Sequence, residues 1–188
     1  RAAKVISSMP VGEFGPPIFS PQIVSQPDYH NNGVWPYVTS FWGKAAAKVG
    51  NETALMHALA CNVRTASIYA TNYENYSFNT GNPYTTQINS PNMLWGLSGF
   101  MGLFHRTFFG LEFTKEGLAL KPFIPTVLAG TRKLEAFPYR GMKLDITVSG
   151  SGNEIASCLV DGKEAEAFIP ADWTGNHSIE IVMKGEHK

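Results

Sequence analysis

Near Gly110 the apolar residues change their period. Upstream they recur every three or four positions, the repeat that lines one face of a helix. Downstream they alternate, the repeat of a strand with one buried side. One segment cannot satisfy both repeats. The chain is therefore expected to be mainly α over residues 1–110 and β over 111–188, the β part an antiparallel, sandwich-like domain.

The helical part opens on RAAKVISSM, which reads as the tail of a helix, and PVGEFGPPIFSPQ, whose prolines and glycines forbid a regular one. In DYHNNGVWPYVTSFWGKAAAKVG a turn is expected at Asn32-Gly33. A helix follows from Pro36, where a first turn tolerates proline, and stops at Gly50. Trp35, Val38, Phe41, Trp42 and Ala45 share one face of it. NETALMHALACNVRTASIYA reads as the next helix, capped by Asn51 and buried along Leu55, Ala58, Leu59, Asn62 and Val63. SPNMLWGLSGFMGLFHRTFFG, capped by Ser90 with Pro91 in its first turn, is apolar nearly all round. Such a helix is expected to be buried on several sides. So few helices can hardly supply its neighbours, which points to a piece of a larger helical array. From Leu118 on, six segments read as short strands, GLALKPFIP, KLEAFPYRG, MKLDITVSG, EIASCLVDG, EAEAFIP and HSIEIVMK, with turns such as SGSGN and DGK between them.

Charge narrows the function classes. Lys and Arg number 15, Asp and Glu 15, and no basic stripe is visible, so a nucleic-acid partner is not expected. No apolar run approaches the ~20 residues that span a bilayer, so no membrane partner is expected either. Charged residues make up 16%, against roughly 25% in a typical globular protein, and aromatics 12%. A surface built on Asn, Ser, Thr and Tyr is common in secreted proteins that handle neutral polar ligands. A periplasmic or extracellular location is the expectation, with a cytoplasmic one left open. The chain starts at Arg1 without a signal peptide and is read as a mature or truncated piece of something longer. Cys61 and Cys158 are expected as buried free thiols, no Cys/His spacing suits zinc, and no cofactor or metal is expected.

Between two helix-like runs lies NYENYSFNTGNPY, Asn72 to Tyr84, which is polar, aromatic and holds one carboxylate, Glu74. Taken alone, Glu74 is either a residue of acid–base chemistry or a surface glutamate that faces water or caps the helix near residue 90. His30, in DYHNNG, either bonds a ligand hydroxyl or satisfies backbone carbonyls in a glycine turn. Trp35 and Trp95 either stack on a ligand ring or belong to the core, where Trp42 is expected. Asp28 could orient the Tyr29–Asn32 loop, and Asp172, in ADWTG, is expected in a turn.

The order of YHNNGVWPY, NYENYSFNTGNPY, SPNMLWGLSGFMGLFHRTFFGL and GLALKPFIP…YRGMKLDITV resembles the six-hairpin, or (α/α)6-barrel, glycosidases. The likeness is to bacterial members akin to glycogen-debranching-type and processing α-glucosidases, and it covers nearly everything from Asp28 onward. It implies late helices of an (α/α)6 toroid followed by the β-domain, and a glycoside or oligosaccharide substrate bound where loops join the helices. It also implies an inverting hydrolysis with Glu74 as general base. The general acid and the remainder of the barrel, the N-terminal portion, would lie outside this chain. Tyr29, His30, Asn31, Trp35, Tyr84 and Trp95 are the implied sugar contacts. The sequence departs from the family pattern at Ser77-Phe78-Asn79, where Asp-Pro is frequent. The sugar phosphorylases share the plan. In them a small hydroxyl residue and glycine, here Ser98-Gly99, help cradle phosphate, although that pair also suits close helix packing. A carbohydrate-binding or structural piece without catalysis is the remaining alternative.

Overall fold

The computed structural model describes residues 1–185. It divides into two compact units, Arg1–Leu103 and Phe104–Lys188. The first unit holds helices α1 (Ala2–Ser8), α2 (Pro36–Lys48), α3 (Glu52–Tyr69) and most of α4 (Leu94–Thr107). It also holds a two-residue antiparallel ladder of β1 (Gly33–Val34) and β2 (Tyr76–Ser77).

The expected helix starts are in place. Pro36 occupies the first turn of α2, and the Asn51 side chain accepts from the Ala54 N–H at 2.9 Å to cap α3. The expected buried face of α3 holds at Leu55, Ala58, Leu59 and Asn62, while Val63 is half exposed. The face of α2 is rotated from the expected one. It buries Pro36, Thr39, Ser40, Trp42, Gly43 and Ala46, and leaves Phe41 49% exposed. Small residues win because the α2–α3 contact is close: a Cβ on Gly43 would stand 2.9 Å from the Ala58 Cβ. A polar link runs inside it. Asn62 Nδ2 donates to Ser40 Oγ at 3.1 Å, and Ser40 Oγ donates to the Pro36 carbonyl at 2.9 Å.

α4 does not meet the expectation of burial on several sides. It buries Gly96, Gly99 and Leu103 but leaves Leu94 78%, Leu97 41% and Met101 47% exposed. The packed side is the small one, where a Cβ on Gly99 would approach the Tyr37 Cα to 3.1 Å.

The division between units falls inside α4, upstream of the expected boundary at residue 110. The last turn of α4 is tied to the β residues. Arg106 donates to the Leu111 carbonyl at 2.9 Å and lies over the Phe113 ring at 4.7 Å, and the His105 ring meets Phe137 at 5.9 Å.

Among its described residues the second unit has eight strands: β3 (Leu111–Phe113), β4 (Gly117–Leu120), β5 (Gly130–Tyr139), β6 (Met142–Gly150), β7 (Ile155–Val160), β8 (Lys163–Glu164), β9 (Phe168–Pro170) and β10 (Gly175–Met183). They form a three-stranded antiparallel sheet, β3-β4-β9, and a five-stranded sheet, β5-β6-β10-β7-β8. All six expected segments contain strand. The expectation of a wholly antiparallel domain is corrected at one place, because β10 pairs with β6 in parallel, Ile179 beside Ile146 and Ile181 beside Val148. The alternation of a half-buried strand is the same in either direction, so the sequence pattern carries no sign of it. Met142, Leu144, Ile146 and Val148 of β6 and Ile179, Ile181 and Met183 of β10 are buried, with polar neighbours turned outward. The expected turn at Asp161-Gly162 has φ of 51° and 74° at its two central residues, the left-handed pair that suits the twist of a two-residue hairpin. Cys61 and Cys158 are buried and unbridged, as expected.

Candidate functional site

The residues singled out in the helical unit lie on two loops held side by side. One enters α2 and the other leaves α3, and the β1–β2 ladder joins them through Gly33↔Ser77 and Val34↔Tyr76. Asp28 locks the pair. Its Oδ1 accepts from Asn32 Nδ2 at 2.9 Å, its Oδ2 from Ser77 Oγ at 2.7 Å, and its carbonyl from the Gln87 N–H at 2.7 Å. Asp28 therefore orients the loop, as its place in the sequence suggested. Asn32, expected in a turn with Gly33, takes a left-handed φ of 49° and sends its carbonyl to the Phe78 N–H at 2.8 Å. Asparagine tolerates that conformation better than most residues.

Glu74 sits in a tightly bonded backbone. Its own N–H donates to the Ser90 carbonyl at 2.9 Å, and the preceding Tyr73 N–H reaches the Tyr76 hydroxyl at 3.3 Å. On its other side Asn75 is fully buried, and its Nδ2 donates to the Ile88 carbonyl at 3.0 Å. The Asn89 carboxamide donates to the carbonyls of Asn75 and Pro83, each at 2.8 Å. Against this the Glu74 carboxylate, which is half-buried, has no hydrogen bond or ion pair among the described residues. Glu74 meets the segment before α4 through its backbone alone, so its carboxylate does not cap that helix, and the reading in which it simply faces water stands beside the catalytic one. The hollow beside this loop, about 150 Å³, is lined by Thr71, Asn72, Asn92, Met93, Leu94 and Leu97, and Glu74 is not part of its wall.

Four of the implied sugar contacts come together. His30 stacks on Trp35 with centroids 5.3 Å apart and planes 12° off parallel, and Tyr29 lies 4.3 Å from His30 and 5.4 Å from Trp35. Trp95 of α4 meets Trp35 edge-on at 5.6 Å. Trp35 is only 5% exposed, and its Nε1–H donates to the Tyr29 carbonyl at 3.3 Å. It backs the cluster, while His30 and the 42% exposed Trp95 form its open side. Tyr37 was missed by sequence reasoning. It stacks on Trp95 at 5.7 Å and 17°, one helical turn before Phe41.

The other two implied contacts part from this group. Asn31 is buried, and its amide is consumed within its own loop. Oδ1 accepts from the Ile23 N–H at 2.7 Å, and Nδ2 donates to the carbonyls of Ile23 at 3.2 Å and Gln26 at 3.0 Å. It shapes the loop through these three bonds. Tyr84, 72% exposed, belongs to a second ring cluster with Tyr69, Tyr73 and Tyr76. The Tyr73 hydroxyl donates to that of Tyr84 at 3.2 Å, and this bond, with some burial, raises the Tyr73 phenol above its ordinary 10.0. Burial raises Tyr69 and Tyr76 as well. Tyr69, Tyr73 and Tyr76 are the members that sequence reasoning missed; for Tyr73, a tyrosine beside the lone loop carboxylate was the available signal. At Ser98-Gly99 the hydroxyl donates to the Trp95 carbonyl at 3.0 Å, and Gly99 packs on Tyr37.

Among the described residues no cluster of three or more His, Cys, Asp or Glu side chains is placed to hold a metal ion, and no helix is long and apolar enough to cross a membrane. No family model matches the chain, and no curated protein matches it at a significant level.

Proposed function

We propose that these residues are the C-terminal portion of an inverting glycoside hydrolase built on an (α/α)6 barrel, with α2 to α4 among its late helices and the β-domain as its tail. The observation that carries the reading is Glu74. It is the only carboxylate between Glu52 and Glu112, its backbone is bonded on both sides, and its own oxygens are unpaired among the described residues. A fixed backbone that leaves the carboxylate oxygens open to a water molecule is compatible with a general base, which must lie within hydrogen-bond reach of the proton it removes. The exposed side of the His30–Trp95 cluster offers ring faces to the C–H surfaces of a sugar. Exposed Leu94, Leu97 and Met101 on α4, with Ile68 on α3, suit helices that pack against further helices.

In this mechanism Glu74 removes a proton from a water molecule, whose oxygen attacks the anomeric carbon from the face opposite the leaving group. A carboxylic acid outside these residues gives its proton to the departing glycosidic oxygen. The two carboxyls stand roughly 6.5–9.5 Å apart in inverting enzymes, which leaves room for the water. The product sugar has the inverted configuration, and both carboxyls are reset by exchange with solvent. The engaged Ser98 hydroxyl and the packed Gly99 favour water over phosphate as the nucleophile, because neither is free to cradle an anion.

The test is the stereochemistry of the first product. The full-length protein is incubated with α- and β-linked disaccharides and aryl glycosides in phosphate-free buffer, and the first-formed anomer is read by proton NMR before mutarotation. Inversion at a rate indifferent to added phosphate is expected. Retention of configuration, turnover only with phosphate, or no turnover of any glycoside removes the reading.

A further inference from the structure

The β-domain carries a second candidate site, which does not depend on the Glu74 reading. An open hollow of about 350 Å³ is lined by Asp161, Asp172, Trp173, Thr174 and His177. Its wall is assembled from the hairpin turn after β7, the turn after β9 and the start of β10. The wall is rigid. His177 Nδ1 lies 2.8 Å from Asp161 Oδ2, and its Nε2 lies 3.1 Å from the Thr174 carbonyl, so both ring nitrogens face acceptors. Asp161 Oδ1 accepts from the Ser178 N–H at 2.8 Å, which fixes the carboxylate from the other side. The turn itself is pinned by the Ala171 N–H on the Glu116 carbonyl at 2.8 Å and the Gly175 N–H on the Gly141 carbonyl at 3.1 Å.

Against this fixed frame three features are left open. The Trp173 indole is 38% exposed, its Nε1–H has no partner among the described residues, and the Asp172 carboxylate has none either. An aromatic face with one donor and one acceptor at its rim suits a ligand that is apolar on one side and hydroxylated at its edge. The bonded Asp161 and His177 side chains behind it are already ordered, which spares a ligand that part of the cost. A cationic ligand is the competing fit. The indole already has the His177 ring against it, with centroids 4.9 Å apart, and that ring is cationic whenever both its nitrogens donate.

We propose that this hollow is a saccharide-binding site, which seats a neutral hexose unit on the Trp173 indole, with a sugar hydroxyl donating to Asp172 and the Trp173 Nε1–H donating to a sugar oxygen. No bond is made or broken there; the site holds a chain.

The full-length protein is titrated with maltotetraose, cellotetraose and, separately, tetramethylammonium chloride. The readout is the indole N–H resonance that disappears in Trp173→Phe. A saturable shift of that resonance with at least one tetrasaccharide is expected, and Asp172→Asn weakens it about tenfold, the loss of one charge-assisted hydrogen bond. Because Asp172 is exposed and unbonded, the Asn variant folds as the parent does. The inference is overturned if neither tetrasaccharide moves the resonance, if only tetramethylammonium does, or if Asp172→Asn binds as tightly as the parent. An active hydrolase with a silent Trp173 resonance overturns this site alone. A responsive Trp173 in a protein that hydrolyses nothing leaves this site standing and removes the Glu74 reading.

Discussion

Gly43→Ala opposes two effects of known sign. Alanine is the better helix former by about 1 kcal/mol, so at an open site in α2 the change would stabilise the protein. Gly43 is not at an open site. The new Cβ would lie 2.9 Å from the Ala58 Cβ and 3.1 Å from Leu103 Cδ1. Leu103 can rotate away, but the Ala58 Cβ is fixed to the α3 backbone, so the helices must separate by several tenths of an ångström. Forcing one methyl into a packed contact costs roughly 1–3 kcal/mol. The clash lies at the tight end of that range, and the expected net loss is about 1–2 kcal/mol, a fall in Tm of several degrees for a chain of this size. Urea denaturation followed by circular dichroism measures it. The same substitution in an Ala58→Gly background removes the fixed half of the clash, and its cost there falls by at least about 0.5 kcal/mol. Equal or greater stability of Gly43→Ala, or an unchanged cost in the double variant, would refute the argument that α2 and α3 meet through small residues.

Three further outcomes follow from single groups. Burial raises the Cys61 thiol from its ordinary 9.0 to about 11, so its contribution is complete below pH 9 and is lost as pH rises toward 11. Two units correspond to about 3 kcal/mol, seen as a stability decline over that interval that Cys61→Ala abolishes. Asp28→Ala removes the acceptor of Asn32 Nδ2 and Ser77 Oγ and costs about 2–3 kcal/mol by urea titration, with faster amide exchange in the Asn72–Tyr84 loop. The bond from His177 holds the Asp161 carboxyl below its ordinary 3.8, so its contribution is present above pH 3.8 and is lost as pH falls through the depressed value. Acid titration of Asp161→Asn lacks that component.

The helix starts and most strands were legible because proline, asparagine caps and alternation are local signals. Which side of a helix is buried was less so. Hydropathy selects Phe41 on α2 and all of α4, but close approach selects Gly43, Ala46 and Gly99, a property of the pair of helices and not of either sequence. The parallel pairing of β10 with β6 was hidden for a similar reason, since direction is set by the chain's return path. In the candidate site the lone carboxylate and the ring-rich loops stood out by composition. The partition of labour among neighbours did not. Asn31 and Trp35 look like ligand groups in the sequence, yet one is spent on Ile23 and Gln26 and the other is buried behind His30 and Trp95. Nothing in residue type separates an amide that binds a ligand from one that closes its own loop.

If the Glu74 carboxylate activates water, Glu74→Gln in the full-length protein must abolish that step. Gln keeps the size and the backbone bond to Ser90 but cannot accept the water proton. A fall in kcat of about 10²–10⁴ is expected, with sugar binding and Tm unchanged. Hydrolysis at a near-normal rate by a folded Glu74→Gln protein would contradict it.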